Sequence, residues 1–165
     1  MTLILPLAGH HNKAGFDCGD DALNRWLKQV ASQHKSKMIS STFVAVEHQD
    51  SSDIYGFYSI NMTELKNELL PQSMRKKLPL TIPSFRIGRL AVDSKYHGQG
   101  LGGLLLANAL SRVVSVSDEI GGVLVLVDAK PSAVNFYLKY GFEPLEDHPL
   151  SLFMPIQTIK NRAKS

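Results

Sequence analysis

The chain has 165 residues, 44% of them hydrophobic and 20% charged, with one cysteine and a net charge of +3. That length fits a single domain spanning 1–165, and the composition excludes a disordered tail protein, a collagen-like repeat and a disulfide scaffold. Cys18 has no partner for an internal disulfide, no Cys/His set has zinc-ligand spacing, and no apolar run reaches the ~20 residues of a membrane span. The start, Met1 to Pro6, lacks the basic residues and apolar core of a signal peptide, so a cytoplasmic protein without metal or membrane is expected. Eighteen Lys+Arg against fifteen Asp+Glu permit an anionic partner without requiring one.

Short apolar runs alternate with helical patterns, the mark of a mixed α/β domain. The first helix is predicted from Asp20 to about Ser36, with Leu23, Trp26, Leu27, Val30 and Ala31 on one face and Asp20 at its cap. Two strands follow, Ser41 to Glu47 and Ile54 to Asn61, joined by a polar turn as a hairpin. Residues 62 to 82 hold Pro71, Pro79 and the basic run Arg75-Lys76-Lys77, and read as a short helix and a loop. A strand is predicted from Ser84 to Val92. A helix starts near Gly100, with Leu106, Ala109, Leu110, Val113 and Val114 on one face. Gly122 to Asp128 is a buried strand, and a helix from about Ser132 to Tyr140 stops at Gly141. Strands near Glu143–Leu145 and Leu150–Pro155 close the domain, and 156–165 is a short polar, basic tail that reads as a short helix or a disordered segment.

Between the middle strand and its helix lies His97-Gly98-Gln99-Gly100-Leu101-Gly102-Gly103. A strand, a glycine-rich turn and a helix N-terminus together make an anion site, because backbone N–H groups converge where the helix carries partial positive charge. No Lys follows the last glycine as a Walker loop requires, and the glycine spacing is not that of the dinucleotide fingerprint. An ordinary helix-capping turn stays possible on this loop alone.

Gly98-Gln99-Gly100-Leu101-Gly102 after Arg89-Leu90-Ala91-Val92-Asp93 resembles the acetyl-CoA loop of the GNAT N-acetyltransferases, [QR]-x-x-G-x-[GA]. His97 departs from that pattern at its first place. Ala133-Val134-Asn135-Phe136-Tyr137-Leu138-Lys139-Tyr140-Gly141-Phe142 resembles the A-x-x-F-Y-x-x-x-G-F block of the same family. The resemblance implies a GNAT fold: a central twisted mixed sheet of six to seven strands flanked by about four helices, with the fourth and fifth strands splayed around the pantetheine arm. It implies acetyl-CoA as cofactor, held by the backbone of Leu90, Ala91 and Val92 and by His97 through Gly103, with Asn135 bonding the pantetheine arm or the 3′ side. It also implies Tyr137 as general acid toward the departing thiolate. By spacing alone Tyr137 reads first as a packed core residue, and it is the resemblance that favours the acid role, with Tyr140 as second choice. No general base stands out: Glu47, Asp53, Glu64 and Asp93 each read as solvated surface carboxylates.

Phe16-Asp17-Cys18-Gly19-Asp20-Asp21-Ala22-Leu23-Asn24-Arg25-Trp26-Leu27 resembles the F-x-C-G-x-x-x-L-x-x-[WF]-L segment of GNAT toxins from toxin–antitoxin modules, the TacT and AtaT kind. Pro83 through Asp93 and Pro149 through Met154 are similar to that group as well. This implies acetylation of the free α-amine of aminoacyl-tRNA, which blocks translation. It further implies a ribbon-helix-helix antitoxin that neutralises the toxin and represses the operon, contact with operator DNA only through the antitoxin complex, and a homodimer. Lys35, Lys37, Arg75, Lys76, Lys77, Arg86 and Arg89 are the candidate tRNA contacts. Arg89 shares a strand face with Phe85, Ile87 and Ala91, where a charge needs a reason. The competing readings are a GNAT enzyme acting on a small amine, peptide N-terminus or lysine, and a non-catalytic acetyl-CoA binder.

Overall fold

The Asp20 side chain accepts hydrogen bonds from the N–H groups of Ala22 and Leu23, at 2.9 and 3.2 Å, and so caps the first helix as its position predicts. The computed structural model describes residues 2–163. Lys164 and Ser165 of the expected tail lie outside the described residues, as does Met1. The predicted first helix is two: α1 (Asp21–Gln29) and α2 (Ala31–Ser36). Val30, between them, has φ −117° and ψ −39°, away from ideal helix geometry. Valine is a weak helix former because its branched side chain is stiff against the preceding turn. The predicted apolar face survives the break, with Trp26, Leu27 and Ala31 all buried.

Among the described residues there are seven strands and six α-helices. The strands are β1 (Leu3–Pro6), β2 (Ser41–Val46), β3 (Gly56–Lys66), β4 (Thr81–Val92), β5 (Leu124–Asp128), β6 (Glu143–Leu145) and β7 (His148–Pro155). The remaining helices are α3 (Gln72–Arg75), α4 (Leu101–Ile120), α5 (Val134–Lys139) and α6 (Ile156–Ala163). The sheet order is β1-β2-β3-β4-β5-β7-β6. The architecture is the expected mixed α/β one, with two differences in detail. β1 was not expected. β3 runs on through Lys66 and β4 begins at Thr81, so part of 62–82 is strand rather than loop. The tail takes the helical one of its two expected forms, from Ile156.

The chain divides into two compact units. The first comprises residues up to Asn61 together with Gly88–Ala109. Its strands are antiparallel, with Leu5 opposite Val44 and Val44 opposite Phe57. Leu7, Phe16, Trp26, Leu27, Ala31, Val44, Val46, Phe57 and Ala91 belong to one buried cluster. Trp26 stacks on Phe57 at 6.0 Å, and Phe16 meets Phe57 edge-on at 5.4 Å. α4 approaches β3 closely in this unit: a Cβ at Gly56 would lie 2.8 Å from Leu105 Cδ1 and 2.9 Å from the Ala91 carbonyl oxygen. No larger residue fits there without moving backbone. Tyr58 donates to Asn108 Oδ1 at 2.7 Å, a second tie between β3 and α4.

The second unit comprises Met62–Ile87 and the chain from Leu110 onward. Ser84–Ile87 of β4 pair in parallel with Leu124–Val127 of β5, and β5 pairs antiparallel with β7. Leu65, Leu70, Ile82, Leu124, Leu126, Leu145 and Phe153 form its buried cluster. β5 is the Val-Leu-rich run expected of a strand covered on both faces. α6 is held by an ion pair between Lys160 and Asp118 at 2.6 Å and by a hydrogen bond from Arg162 Nη1 to the Tyr140 carbonyl at 2.7 Å.

Candidate functional site

β4 delivers the glycine loop. The parallel register with β5 ends at Ile87, and Leu90, Ala91 and Val92 come after that last pair. Ala91 packs into the first unit's core, so alternate side chains anchor the strand while its backbone continues toward the loop. Asp93 then turns the chain: its carboxylate accepts from the Lys95 N–H at 3.0 Å and the Asp17 N–H at 3.1 Å. A short 3-10 turn, Ser94–Tyr96, follows.

His97 Nε2–H donates to the Val92 carbonyl at 2.7 Å. The imidazole therefore ties the loop back onto the strand end, at the place where the family pattern has Gln or Arg. Gly98 and Gly100 have φ of +79° and +78°, conformations that only glycine adopts cheaply. A Cβ at either would meet no atom within 4 Å. The glycines are thus required by backbone conformation, and the space beside them is open to a ligand. α4 starts at Leu101, and the Leu104 N–H donates to the Gly100 carbonyl at 3.2 Å. The N–H groups of Leu101, Gly102 and Gly103 precede that bond, in the turn where a helix has no internal acceptors. Leu105 and Leu106 are fully buried and fix the helix axis. An open cradle of backbone donors at the positive end of a 20-residue helix suits a pyrophosphate, so the residues present fit acetyl-CoA.

Tyr137 lies in the second unit, on α5, and is only 6% exposed. Its ring meets Phe136 edge-on at 5.0 Å and Phe142 at 5.6 Å. Burial pushes the phenol up to about 12. It is a proton donor at any physiological pH. Tyr140 is half-buried against Phe136 at 5.1 Å, and Asn135 is exposed.

The basic candidates divide by environment. Lys37, Lys76 and Lys77 are exposed, and Lys35, also exposed, donates to the Leu7 carbonyl at 3.3 Å. Arg75 pairs with Glu146 at 3.5 Å and donates to the Leu70 carbonyl at 2.8 Å. Arg86 lies 3.6 Å from Asp128. Both line a cavity of about 200 Å³ in the second unit, together with Ser151, Leu65, Leu126 and Leu152. Arg89 stacks its guanidinium over Trp26, 4.3 Å from the ring centroid, and burial lowers its pKa.

One expectation needs correcting. Asp93 is not a solvated surface carboxylate: it is 4% exposed, and two backbone N–H groups hold its oxygens in place of water. Asp128 and Ser151 did not stand out in the sequence. Only the strand register, which sets Arg86 opposite Leu126 and so near the end of β5, reveals them. Cys18 is half-buried, and its N–H donates to Asn24 Oδ1 at 3.0 Å. Among the described residues no group of three or more His, Cys, Asp or Glu is placed to hold a metal ion. No helix of the described residues is long and apolar enough to cross a membrane.

The family model described as an acetyltransferase (GNAT) domain matches residues 16–150. A probable toxin TacT from Sinorhizobium fredii is 33% identical over 170 residues, covering 96% of this chain and 93% of the relative. The solved structure of AtaT complexed with acetyl-methionyl-tRNAfMet is 30% identical, covers 99% of each chain, and superposes with a TM-score of 0.92. A mutant AtaT toxin bound to the C-terminus of the antitoxin AtaR and acetyl-CoA is 26% identical, covers 99% of each chain and gives a TM-score of 0.85.

Proposed function

From a chain that belongs to the acetyltransferase (GNAT) domain family, we propose a toxin that moves the acetyl group of acetyl-CoA to the free α-amine of aminoacyl-tRNA. The observation that carries the acceptor is the full-length likeness to AtaT bound to its acetylated methionyl-tRNA. An acylated α-amine is no longer a nucleophile for peptide bond formation, so translation stops.

Acetyl-CoA supplies the acetyl group as a thioester. Gly98 through Gly103 hold its pyrophosphate by backbone N–H groups, His97 keeps the loop against the strand, and Leu90, Ala91 and Val92 offer backbone to the pantetheine arm. Asn135 bonds that arm or the 3′ side. Tyr137 gives its proton to sulfur as the carbon–sulfur bond breaks and the new carbon–nitrogen bond forms. A phenol near 12 faces a thiolate whose ordinary value is ~8.5, an uphill transfer in water. A thiolate leaving into the same dry surroundings is raised as well, so burial that weakens the acid also strengthens the base it serves. The amine needs no strong base. An α-amine titrates near ~8, and an ester carboxyl lowers that further, so its attacking form is abundant and its proton passes to water.

Lys37, Lys76 and Lys77, with Lys35, Arg75, Arg86 and Arg89 around them in the sequence, make up the tRNA-facing set, and their contribution is electrostatic and salt-dependent. A ribbon-helix-helix antitoxin neutralises the enzyme, operator DNA is met only through that complex, and the working form is a cytoplasmic homodimer of single-domain chains. The AtaT structure with the AtaR C-terminus and acetyl-CoA supports the antitoxin and the co-substrate. The test is transfer from labelled acetyl-CoA to a pool of charged tRNA, with uncharged tRNA as control. Label only on charged tRNA, released by mild alkaline deacylation, is the expected result. Label on a polyamine or peptide and none on tRNA would replace the acceptor and keep the enzyme class.

A further inference from the structure

Asp17 and Asp93 are 76 residues apart in sequence and joined in space. The Asp93 carboxylate, 4% exposed, accepts from the Asp17 N–H on one oxygen and from the Lys95 N–H on the other. The Ser94 N–H donates to the Asp17 carbonyl at 2.9 Å, so the two segments are bonded in both directions. Asp17 is fixed in turn by Asn24 of α1. The Asn24 amide donates to Asp17 Oδ1 at 2.9 Å and accepts from the Cys18 N–H at 3.0 Å, and the Gly19 N–H adds a bond of 2.9 Å to the same Asp17 oxygen. These donors hold the Asp17 carboxyl below the usual carboxylate range. Asn24 itself is buried, at 8% exposure.

The chain of bonds therefore runs from α1 through the 17–19 turn to Asp93, and Asp93 opens the turn that leads into the glycine loop. At that end the loop is also held by the His97 bond to the Val92 carbonyl, by the Asp93 N–H bond to the Tyr55 carbonyl and by the Tyr55–Tyr96 ring contact at 4.2 Å, and the Asp17–Asp93 tie adds the link to α1. Side chains added at Gly98 and Gly100 would touch nothing, so no packing holds the loop midway. The buried leucines of α4 hold its far end. We infer that Asn24, Asp17 and Asp93 are positioning residues for acetyl-CoA, setting the direction in which Gly98 through Gly103 present their N–H groups. The inference rests on the acetyl-CoA reading of that loop. It also gives the Phe16–Leu27 segment a role on the donor side of the reaction rather than in choosing the acceptor.

Two substitutions break the chain at different bonds. Asp93→Asn sets an amide NH₂ against a backbone N–H, donor facing donor. Asn24→Ala removes both bonds to the 17–19 turn. Acetyl-CoA binding is measured by calorimetry on the full chain, well below each variant's Tm, and steady-state transfer to charged tRNA is measured beside it. Each variant is expected to bind acetyl-CoA about tenfold more weakly, because a buried partner is left unsatisfied. The KM for charged tRNA and kcat at saturating acetyl-CoA stay within about twofold. The double variant loses less than the product of the two single losses, since both act through one tie. Amide hydrogen exchange quickens over residues 95–103 and is unchanged over 105–113. An unaltered acetyl-CoA Kd in both variants would overturn the inference. So would equal weakening toward both substrates with uniformly faster exchange, the pattern of a general loss of fold. A wild-type protein that binds no acetyl-CoA would overturn the parent reading and the inference with it.

Discussion

The loop after β4 and the helix that carries Tyr137 hold their groups by opposite means. The loop is open, its glycines are unpacked, and its shape is kept by hydrogen bonds at Asp93 and His97. Tyr137 is buried among rings, and its phenol is shaped by the loss of water rather than by any charge. A site built from backbone donors tolerates exposure, because donors fixed in number and direction keep their function in water. A proton donor that must stay neutral benefits from a dry wall. The two regions should therefore fail differently: the loop through binding, the tyrosine through turnover and pH.

The largest effect is expected at the loop. Gly100→Glu forces a side chain onto φ +78° and puts a negative charge into the proposed pyrophosphate cradle. Acetyl-CoA affinity by calorimetry should fall by more than about 100-fold, since strain and repulsion add. Retained affinity would remove the loop from the site. Tyr137→Phe should do the reverse. The ring packing persists, acetyl-CoA binds as before, and kcat falls on the order of 100-fold with the loss of a general acid. Turnover equal to wild type would return Tyr137 to the core and leave Tyr140 as the acid.

A third measurement uses the same burial. Tyr137 titrates near 12 folded and near 10 unfolded, so above pH 10 the unfolded chain loses a proton that the native one keeps. The stabilisation is present below pH 10 and is lost as pH rises from 10 to 12. Two units correspond to about 2.7 kcal/mol. Denaturant titrations at pH 9, 10, 11 and 12 should show wild type losing stability faster than Tyr137→Phe by roughly that amount. Equal slopes would mean that the phenol is open to water.

The contrast also explains what the sequence could reveal. Glycine punctuation and the aromatic block are local patterns, and so the loop, α4 and α5 were legible within a few residues. The Asp20 cap was legible for the same reason. The ties that hold the loop were not. Asp93 reads as a surface acid because its partner Asp17 is 76 residues away, and nothing local announces that both its oxygens are taken by backbone N–H groups. The break at Val30 was hidden by an apolar face that continues unchanged across it. β1 is four residues long, too short for a periodic signal, and owes its place to pairing with β2.

Arg89 supplies the smallest and most discriminating test, because two explanations of one charge predict different observables. Read from the sequence, a cation on an apolar strand face reaches for the acceptor end of the tRNA or for a phosphate. In the structure its guanidinium covers Trp26 at 4.3 Å, which is reason enough for a half-buried arginine. Arg89→Met keeps the length of the chain and removes the charge. Loss of a cation–π contact of about 1 kcal/mol should lower Tm by roughly 2–4 °C. If stacking is the whole role, the dependence of the KM for charged tRNA on salt keeps its slope. If Arg89 also meets a phosphate, that logarithmic slope falls by about one unit, as when a single ion contact is lost, and Lys76→Ala at an exposed position gives the matching reference value. A slope that falls at Lys76 and holds at Arg89 would separate the side chains that build the protein from those that meet its substrate.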